Sequence, residues 1–179
     1  TPMLCIMNHQ MAVATKASRV CRATNRPVSE FGSRRAHGPW AATYGAKAAI
    51  IAGCSSTSNI LAGTMYDYGS TGTMAHSYVT AFGCSVEGEH KAFDTYIKTH
   101  KGEPLILLID TYDTLRCGIR NAIRSFKENG IDDTYQWGYG IRLDSGDLAY
   151  LSMECREILD RNGLKGCKIF ATNSLDEYL

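Results

Sequence analysis

The chain has 179 residues, a length that suits one domain or part of one and allows a hydrophobic core. Its 19 Lys and Arg residues and 18 Asp and Glu residues leave a net charge of +1, and 44% of all residues are hydrophobic. A protein that wraps nucleic acid or binds membranes through basic residues would carry clustered Lys and Arg in excess. The composition therefore argues against both classes.

Neither a membrane span nor a secretion signal is predicted. The longest aliphatic runs, Ala48–Ala52 and Leu105–Ile109, are far shorter than the roughly 20 apolar residues of a spanning helix. The seven cysteines are widely spread and form no CxxC pair, so neither a disulfide framework nor a zinc site is expected. Free thiols are typical of a reducing compartment, which predicts a cytoplasmic protein.

The first third of the chain is predicted to be mostly helical. Apolar residues recur at helical spacing from Leu4, and Pro39 opens an Ala-rich segment that Gly53 follows. The predicted elements are a helix over Leu4–Arg22, a strand over Val28–Gly32, a helix over Pro39–Ala52 and a short helix around Ser58–Met65.

From Glu87 onward helices and strands alternate. The predicted elements are the helices Glu87–His100, Ile119–Asn129 and Asp147–Asn162 and the strands Pro104–Asp110, Trp137–Leu143 and Cys167–Thr172. The strand starts near 105, 138 and 168 are separated by 33 and 30 residues, the length of a βαβ unit. This alternation suits either a barrel or a doubly wound parallel sheet, and no GxGxxG follows the first strand. We therefore favour an α/β fold with an incomplete (β/α) barrel.

Polar residues follow the predicted strands, where α/β proteins place their functional groups. They are Arg34 and Arg35, Asp110 and Asp113, Arg142 with Asp144, Ser145 and Asp147, and Thr172 with Asn173. Asp147 or Ser145 alone would be a helix cap, Asp110 and Asp113 turn formers, and the Arg pair a solvated surface. Their recurrence at successive strand ends instead favours a site for an anionic ligand, because arginine binds phosphate and carboxylate with two parallel hydrogen bonds. Without such an anionic ligand, the guanidinium group of Arg142 would face only carboxylates.

A second signal is the Gly- and Thr-rich loop Ser70–Ser77, which opens into a helix carrying His76 in its first turn. Free N–H groups at a helix start can hold an anion, and an imidazole beside it can act as an acid, a base or a nucleophile. A histidine at such a position can also be structural. The other histidines are interpreted as structural, with His90 and His100 on a solvated helical face.

Six segments in chain order resemble the nicotinate phosphoribosyltransferase family. They are Glu30–Gly38, Ser56–Asn59, Gly72–Ser77, Asp110–Leu115, Ile141–Leu148 and Ala171–Glu177. The resemblance implies that nicotinate and 5-phosphoribosyl-1-pyrophosphate are converted to nicotinate mononucleotide and pyrophosphate in NAD salvage. It also implies ATP as co-substrate, Mg²⁺ as cofactor and the irregular barrel of type II phosphoribosyltransferases.

The resemblance also implies residue roles. The histidine matching His76 is phosphorylated by ATP, and the arginines matching Arg34 and Arg142 lie around the substrates. We therefore predict His76, Asp110 and Arg142 as catalytic residues. The predicted substrate-binding residues are Arg34, Arg35, Gly72, Thr73, Ser77, Asp144, Ser145 and Asn173. No residue is assigned as a metal ligand.

Residues 1–179 would then be part of the central barrel domain, with amino- and carboxyl-terminal parts lying outside this chain. The resemblance implies a homodimer. Three alternatives stay open: quinolinate phosphoribosyltransferase, which needs no ATP, nicotinamide phosphoribosyltransferase, and a fragment without activity that keeps the family's surface.

Overall fold

The structure is a computed structural model in which residues 1–178 are described. The chain divides into two compact units. The first unit comprises Thr1–Gly72 together with the residues from Ser174 onward, and the second unit comprises Thr73–Asn173. No helix within residues 1–178 is long and apolar enough to cross a bilayer.

The first unit is built from helices and two very short strands. Its elements are α1 (Pro2–Ala23), β1 (Ser29–Glu30), a 3-10 turn (Ser33–Arg35), α2 (Pro39–Ile51), β2 (Ser56–Thr57) and α3 (Ile60–Tyr66). β1 and β2 pair in parallel. Small residues on α2 let α1 approach closely, and the ring of His9 lies 3.0 Å from the carbonyl oxygen of Ala41. The strand predicted over Val28–Gly32 is present but shorter, since only Ser29 and Glu30 pair with β2.

The second unit is a parallel α/β layer. Its elements are α4 (His76–Thr80), α5 (Val86–Thr99), β3 (Leu105–Leu108), a π-helical turn (Thr114–Gly118), α6 (Ile119–Glu128), β4 (Tyr139–Leu143), α7 (Leu148–Arg161) and β5 (Lys168–Ala171). The strands pair in the order β3-β4-β5, with Leu105 opposite Tyr139 and Arg142 opposite Phe170. The predicted alternation of helix and strand over this region is confirmed.

The core of the second unit forms between the sheet and its helices. Leu105, Leu107 and Leu108 of β3 are fully buried, as are Phe93 on α5 and Phe126 on α6. Fully burying a side chain of this size contributes about 1.5–3 kcal/mol to folding. Ser85 and Asp147 accept backbone N–H bonds at the starts of α5 and α7. Local capping and long-range burial thus specify the same helices.

The barrel is not seen in residues 1–178, whose strands form one sheet of two and one of three parallel strands. The π-helical turn was not predicted from the sequence either. It brings Gly118 directly against the carbonyl group of Ile109, where a Cβ atom would overlap the oxygen. A close approach of this kind is a tertiary contact that helical periodicity does not encode.

The prediction that His90 lies on a solvated face is wrong. The residue is buried, its Nδ1 atom lies 2.9 Å from the Ser125 hydroxyl, and its Nε2 atom lies 3.1 Å from a Glu128 carboxylate oxygen. α5 packs against α6 on this side, so a polar residue at that helical position is enclosed and hydrogen-bonded instead of solvated.

Glu89, the preceding residue on α5, is a fully buried carboxyl group. Asn121 on α6 donates a 2.8 Å hydrogen bond to Oε2, whereas Oε1 has no hydrogen-bond partner among the described residues. Burial raises the pKa of Glu89 above its usual value of 4.5, and the hydrogen bond from Asn121 only partly offsets this. The charged form therefore destabilises the fold.

Glu89→Gln should stabilise the protein at neutral pH but not in acid. A raised folded-state pKa means that the contribution of Glu89 to stability is complete below the unfolded pKa and is lost as the pH rises through the folded pKa. The gain in the free energy of unfolding, measured by urea denaturation, should therefore be near zero at pH 4 and grow toward pH 8. The exposed Glu87→Gln serves as the control, and an equal gain at both pH values would contradict the assignment.

Candidate active site

The candidate site lies where the three strands of the second unit end. Asp110 follows β3, Asp144 follows β4 and Thr172 follows β5, and the parallel pairing brings these positions side by side. The backbone N–H of Asp144 donates to Asp110 Oδ2 at 2.9 Å, and the Ser145 hydroxyl donates to the same oxygen at 2.5 Å. The predicted clustering of polar strand-end residues in this unit is therefore seen.

Asp110 is unusually enclosed for a carboxylate. Its side chain is 1% exposed, and its second oxygen, Oδ1, has no hydrogen-bond partner among the described residues. Leaving a buried polar atom unpaired costs about 1–3 kcal/mol, and more for a charged group. Such a cost is typical of a site whose geometry serves a ligand or a reaction.

Arg142 links the ends of β4 and β5 to the loop that precedes α4. Its Nε donates to the Thr172 hydroxyl at 3.0 Å, Nη1 to the Thr73 hydroxyl at 2.7 Å, and Nη2 to Asp144 Oδ1 at 2.9 Å. The expectation that the guanidinium would face only carboxylates without a bound anion is wrong. Two threonine hydroxyls share it with one carboxylate, so Arg142 has a structural role of its own.

Asp144 is held in its charged form by this network. Burial acts to raise its pKa, but the hydrogen bond from the Thr172 hydroxyl and the positive charge of Arg142 outweigh it and leave the pKa below its ordinary value. The carboxylate therefore stays negative throughout the physiological pH range.

His76, the first residue of α4, faces both carboxylates. Its Nε2 atom lies 3.5 Å from Asp144 Oδ2 and 3.9 Å from Asp110 Oδ1, and its Nδ1 atom lies 3.1 Å from the Thr111 hydroxyl. The side chain is 43% exposed, so a ligand in solvent can reach it. The imidazole is thus oriented on one side and accessible on the other.

Thr111 was missed by the sequence reasoning, although it stands directly beside Asp110. Asp147 caps α7, which is the structural alternative stated for it above. Asp113, for which the alternative is a turn former, accepts the N–H groups of Leu115 and Arg116 at the start of the π-helical turn. Ser145 is no cap, since its hydroxyl donates to Asp110. The anion site predicted at the start of α4, a helix of five residues, stays a prediction.

The five remaining residues that were predicted to bind substrate are divided between the two units. In the first unit, Arg34 and Arg35 are exposed on the 3-10 turn and Gly72 is exposed in the loop that ends this unit. In the second unit, Ser77 is exposed on α4, and Asn173 follows Thr172 with a φ of 86°. A positive φ is costly for a residue other than glycine and is often found at functional sites. The roles of these five residues stay predictions.

Sequence comparison places the chain beside nicotinate phosphoribosyltransferases. It is 46% identical over 179 residues to the enzyme of that name from Bacillus subtilis, a match covering 99% of the chain, and 43% identical over 169 residues, or 94% of the chain, to nicotinate phosphoribosyltransferase pncB2 of Mycobacterium tuberculosis. The chain spans about a third of the length of these relatives, 35% and 34% respectively. No family model matches the chain.

Solved structures agree with the sequence comparison. Human nicotinic acid phosphoribosyltransferase superposes with a TM-score of 0.85 at 26% identity, over 99% of this chain and 45% of that one. Nicotinate-nucleotide pyrophosphorylase from Pyrococcus furiosus superposes with a TM-score of 0.76 at 30% identity, over 95% of this chain and 42% of that one. The resemblance identified from the six sequence segments is therefore confirmed.

Replacing Arg142 by lysine should weaken the second unit. Lysine keeps the charge but cannot direct donors toward Thr73, Thr172 and Asp144 at once, so we expect a loss of about 1.5–3 kcal/mol in the free energy of unfolding. Urea unfolding of the variant measures this loss. Arg116→Lys, at a side chain that is 90% exposed, is the matched control and should unfold like the unmodified protein. Equal midpoints for both variants would contradict the bridging role of Arg142.

Proposed function

We propose that this chain, which is related in sequence and fold to nicotinate phosphoribosyltransferases, carries catalytic residues of an enzyme with that activity. The reaction would join nicotinate to 5-phosphoribosyl-1-pyrophosphate, releasing nicotinate mononucleotide and pyrophosphate in NAD salvage. The observation that carries the proposal is the position of His76 between two carboxylates and a hydroxyl, in a chain 46% identical to the Bacillus subtilis relative.

His76 is proposed as the residue that receives a phosphoryl group from ATP. Two carboxylates near Nε2 favour a proton on that nitrogen, which leaves the lone pair on Nδ1. The Thr111 hydroxyl donates a hydrogen bond to that lone pair and would rotate away to free it for attack. Nδ1 would attack the γ-phosphorus as the bond to ADP breaks, and ADP would leave. The carboxylates would then stabilise the positive charge that develops on the ring, as the carboxylate of a catalytic triad does.

Phosphorylation would change the charge next to Arg142. A phosphoryl group brings about −1.5 to −2 charges and three acceptor oxygens at neutral pH. Since Arg142 already binds Asp144, Thr73 and Thr172, a new anion nearby would compete for its donors and shift the loop at Thr73. This competition offers a physical route by which ATP hydrolysis could alter the affinity for anionic substrates.

Mg²⁺ is proposed as cofactor, and the residues present fit it. Mg²⁺ is usually held by one or two carboxylates together with substrate phosphates. Asp144 and Asp110 supply carboxylates, one of them with an oxygen that has no hydrogen-bond partner among the described residues. No group of three or more His, Cys, Asp and Glu side chains suited to a metal is found in residues 1–178, so phosphate oxygens would complete the coordination. The ion would neutralise the charge of the leaving pyrophosphate.

The remaining substrate contacts are proposed for Arg34, Arg35, Gly72, Thr73, Ser77, Ser145 and Asn173. Arginine, hydroxyl and amide groups suit the carboxylate of nicotinate and the phosphates of the second substrate. We also propose that the chain is part of an irregular barrel domain in a longer, homodimeric protein. The seven free cysteines favour a location in the reducing cytoplasm.

His76→Ala, tested in a protein extended to the length of the relatives, should abolish ATP hydrolysis that depends on nicotinate. Slow phosphoribosyl transfer without ATP should remain, because Asp110 and Arg142 are intact. Labelled ATP should leave acid-labile phosphate on the unmodified protein and on the His100→Ala control, but not on His76→Ala. If His76→Ala still hydrolyses ATP in step with nicotinate mononucleotide formation, the assignment is wrong. If labelling never occurs, quinolinate chemistry or a role without catalysis is favoured.

Asp110→Asn should lower turnover roughly 10²-fold, the order of magnitude lost when one group that stabilises developing charge is removed, while the melting temperature changes little. The amide oxygen can still accept the bonds from the Asp144 backbone and the Ser145 hydroxyl, so folding is spared and only the charge is lost. Asp147→Asn makes the same chemical change at a helix cap, where Asn serves equally well, and should leave turnover unchanged. A large drop in melting temperature for Asp110→Asn would instead indicate a structural role.

A further inference from the structure

Two cysteine thiols meet in the first unit, far apart in sequence. Cys21 lies near the end of α1 and Cys54 lies three residues after the end of α2, and their sulfur atoms are 3.9 Å apart. The backbone of the second segment also runs close to Cys21, since a Cβ atom placed on Gly53 would lie 3.4 Å from the Cys21 Cβ. A disulfide has a sulfur–sulfur distance of about 2.05 Å, so the sulfurs need to approach by about 2 Å.

We propose that Cys21 and Cys54 form a reversible disulfide when the protein meets a small disulfide oxidant such as glutathione disulfide. The Cys21 thiolate attacks one sulfur of the oxidant, whose S–S bond breaks, and one glutathione thiolate leaves and takes up a proton. Cys54 then loses its proton to solvent and attacks the Cys21 sulfur, displacing the second glutathione. Two cysteines are oxidised to one cystine, and glutathione disulfide is reduced to two thiols.

The surroundings of the two sulfurs determine the order of these steps. Cys21 is half-buried, whereas Cys54 is buried. Burial raises the pKa of Cys54 to about 12, and neighbouring Cys21 and Glu30 add to the rise. Because the thiolate is the nucleophile, Cys54 is a poor first attacker and is well placed to react second, on a sulfur already next to it.

The disulfide would attach a weakly anchored helix. α1 has no buried residue over its 22 positions, and Met3, Leu4 and Met7 on it are largely exposed. A bond between Cys21 and Cys54 joins residues 33 apart in sequence and so restricts the unfolded chain. Oxidation should therefore stabilise the packing of α1 on α2.

The test is oxidation of the purified protein by glutathione disulfide followed by intact mass measurement and peptide mapping without reduction. Trypsin releases Cys21 in the tripeptide 20–22, while Cys54 lies in the peptide 48–91, which also contains Cys84. The mapping therefore uses the Cys84→Ser variant, in which a cross-link between these two peptides can only join Cys21 to Cys54. The expected product has lost the mass of two hydrogen atoms and carries this cross-link.

Thermal unfolding supplies a second measurement. The oxidised Cys84→Ser protein should melt about 5–10 °C higher than the reduced form, and dithiothreitol should reverse the rise. Cys21→Ser under the same oxidant should show neither the cross-link nor the rise. A stable glutathione adduct on Cys21, a cross-link through Cys5, or a cross-link without a change in melting temperature would each overturn the proposal.

Discussion

Parallel pairing of β3, β4 and β5 is the constraint on which the candidate site depends. The three strands bring the residues that follow them to one sheet edge, where the carboxylate of Asp110 accepts bonds from the segment after β4. Arg142 extends the link to Thr172 after β5 and to Thr73 before α4. A shift of one residue in strand register would turn these side chains to the opposite face, so the site requires the sheet to form with its register intact.

The same sheet edge contains an energetically unfavourable arrangement of polar groups. Asp110 has a buried oxygen without a hydrogen-bond partner among the described residues, and His76 is 43% exposed beside it. The apolar core beneath the sheet, in which Leu107 and Leu108 are fully buried, holds the end of β3 rigidly in place although the unpaired Asp110 oxygen is unfavourable. If His76 is phosphorylated as proposed, a carboxylate fixed in advance would not need to reorganise when charge develops on the imidazole, which is the physical advantage of a preorganised site.

Much of the second unit was predictable because local and long-range signals agree there. The strand Pro104–Asp110 is predicted by its apolar run, and the helix starting near Asp147 is predicted by its cap and its spacing, and both occur close to their expected bounds. His90 was misjudged because the polarity of a residue does not reveal whether a neighbouring helix covers it. The π-helical turn was missed because it depends on the contact between Gly118 and Ile109.

The sequence by itself determined the alternation of helices and strands, the parallel α/β class and the resemblance to nicotinate phosphoribosyltransferases, since these follow from periodicity, capping and motif order. It also predicted His76, Asp110 and Arg142 as catalytic residues, a role that stays a prediction. Only the tertiary structure decided that Thr111 contacts the histidine ring, that two threonine hydroxyls share the guanidinium, and that Cys21 meets Cys54. These contacts join residues between 30 and 69 positions apart, and a local pattern carries no information about which distant side chain will be the partner.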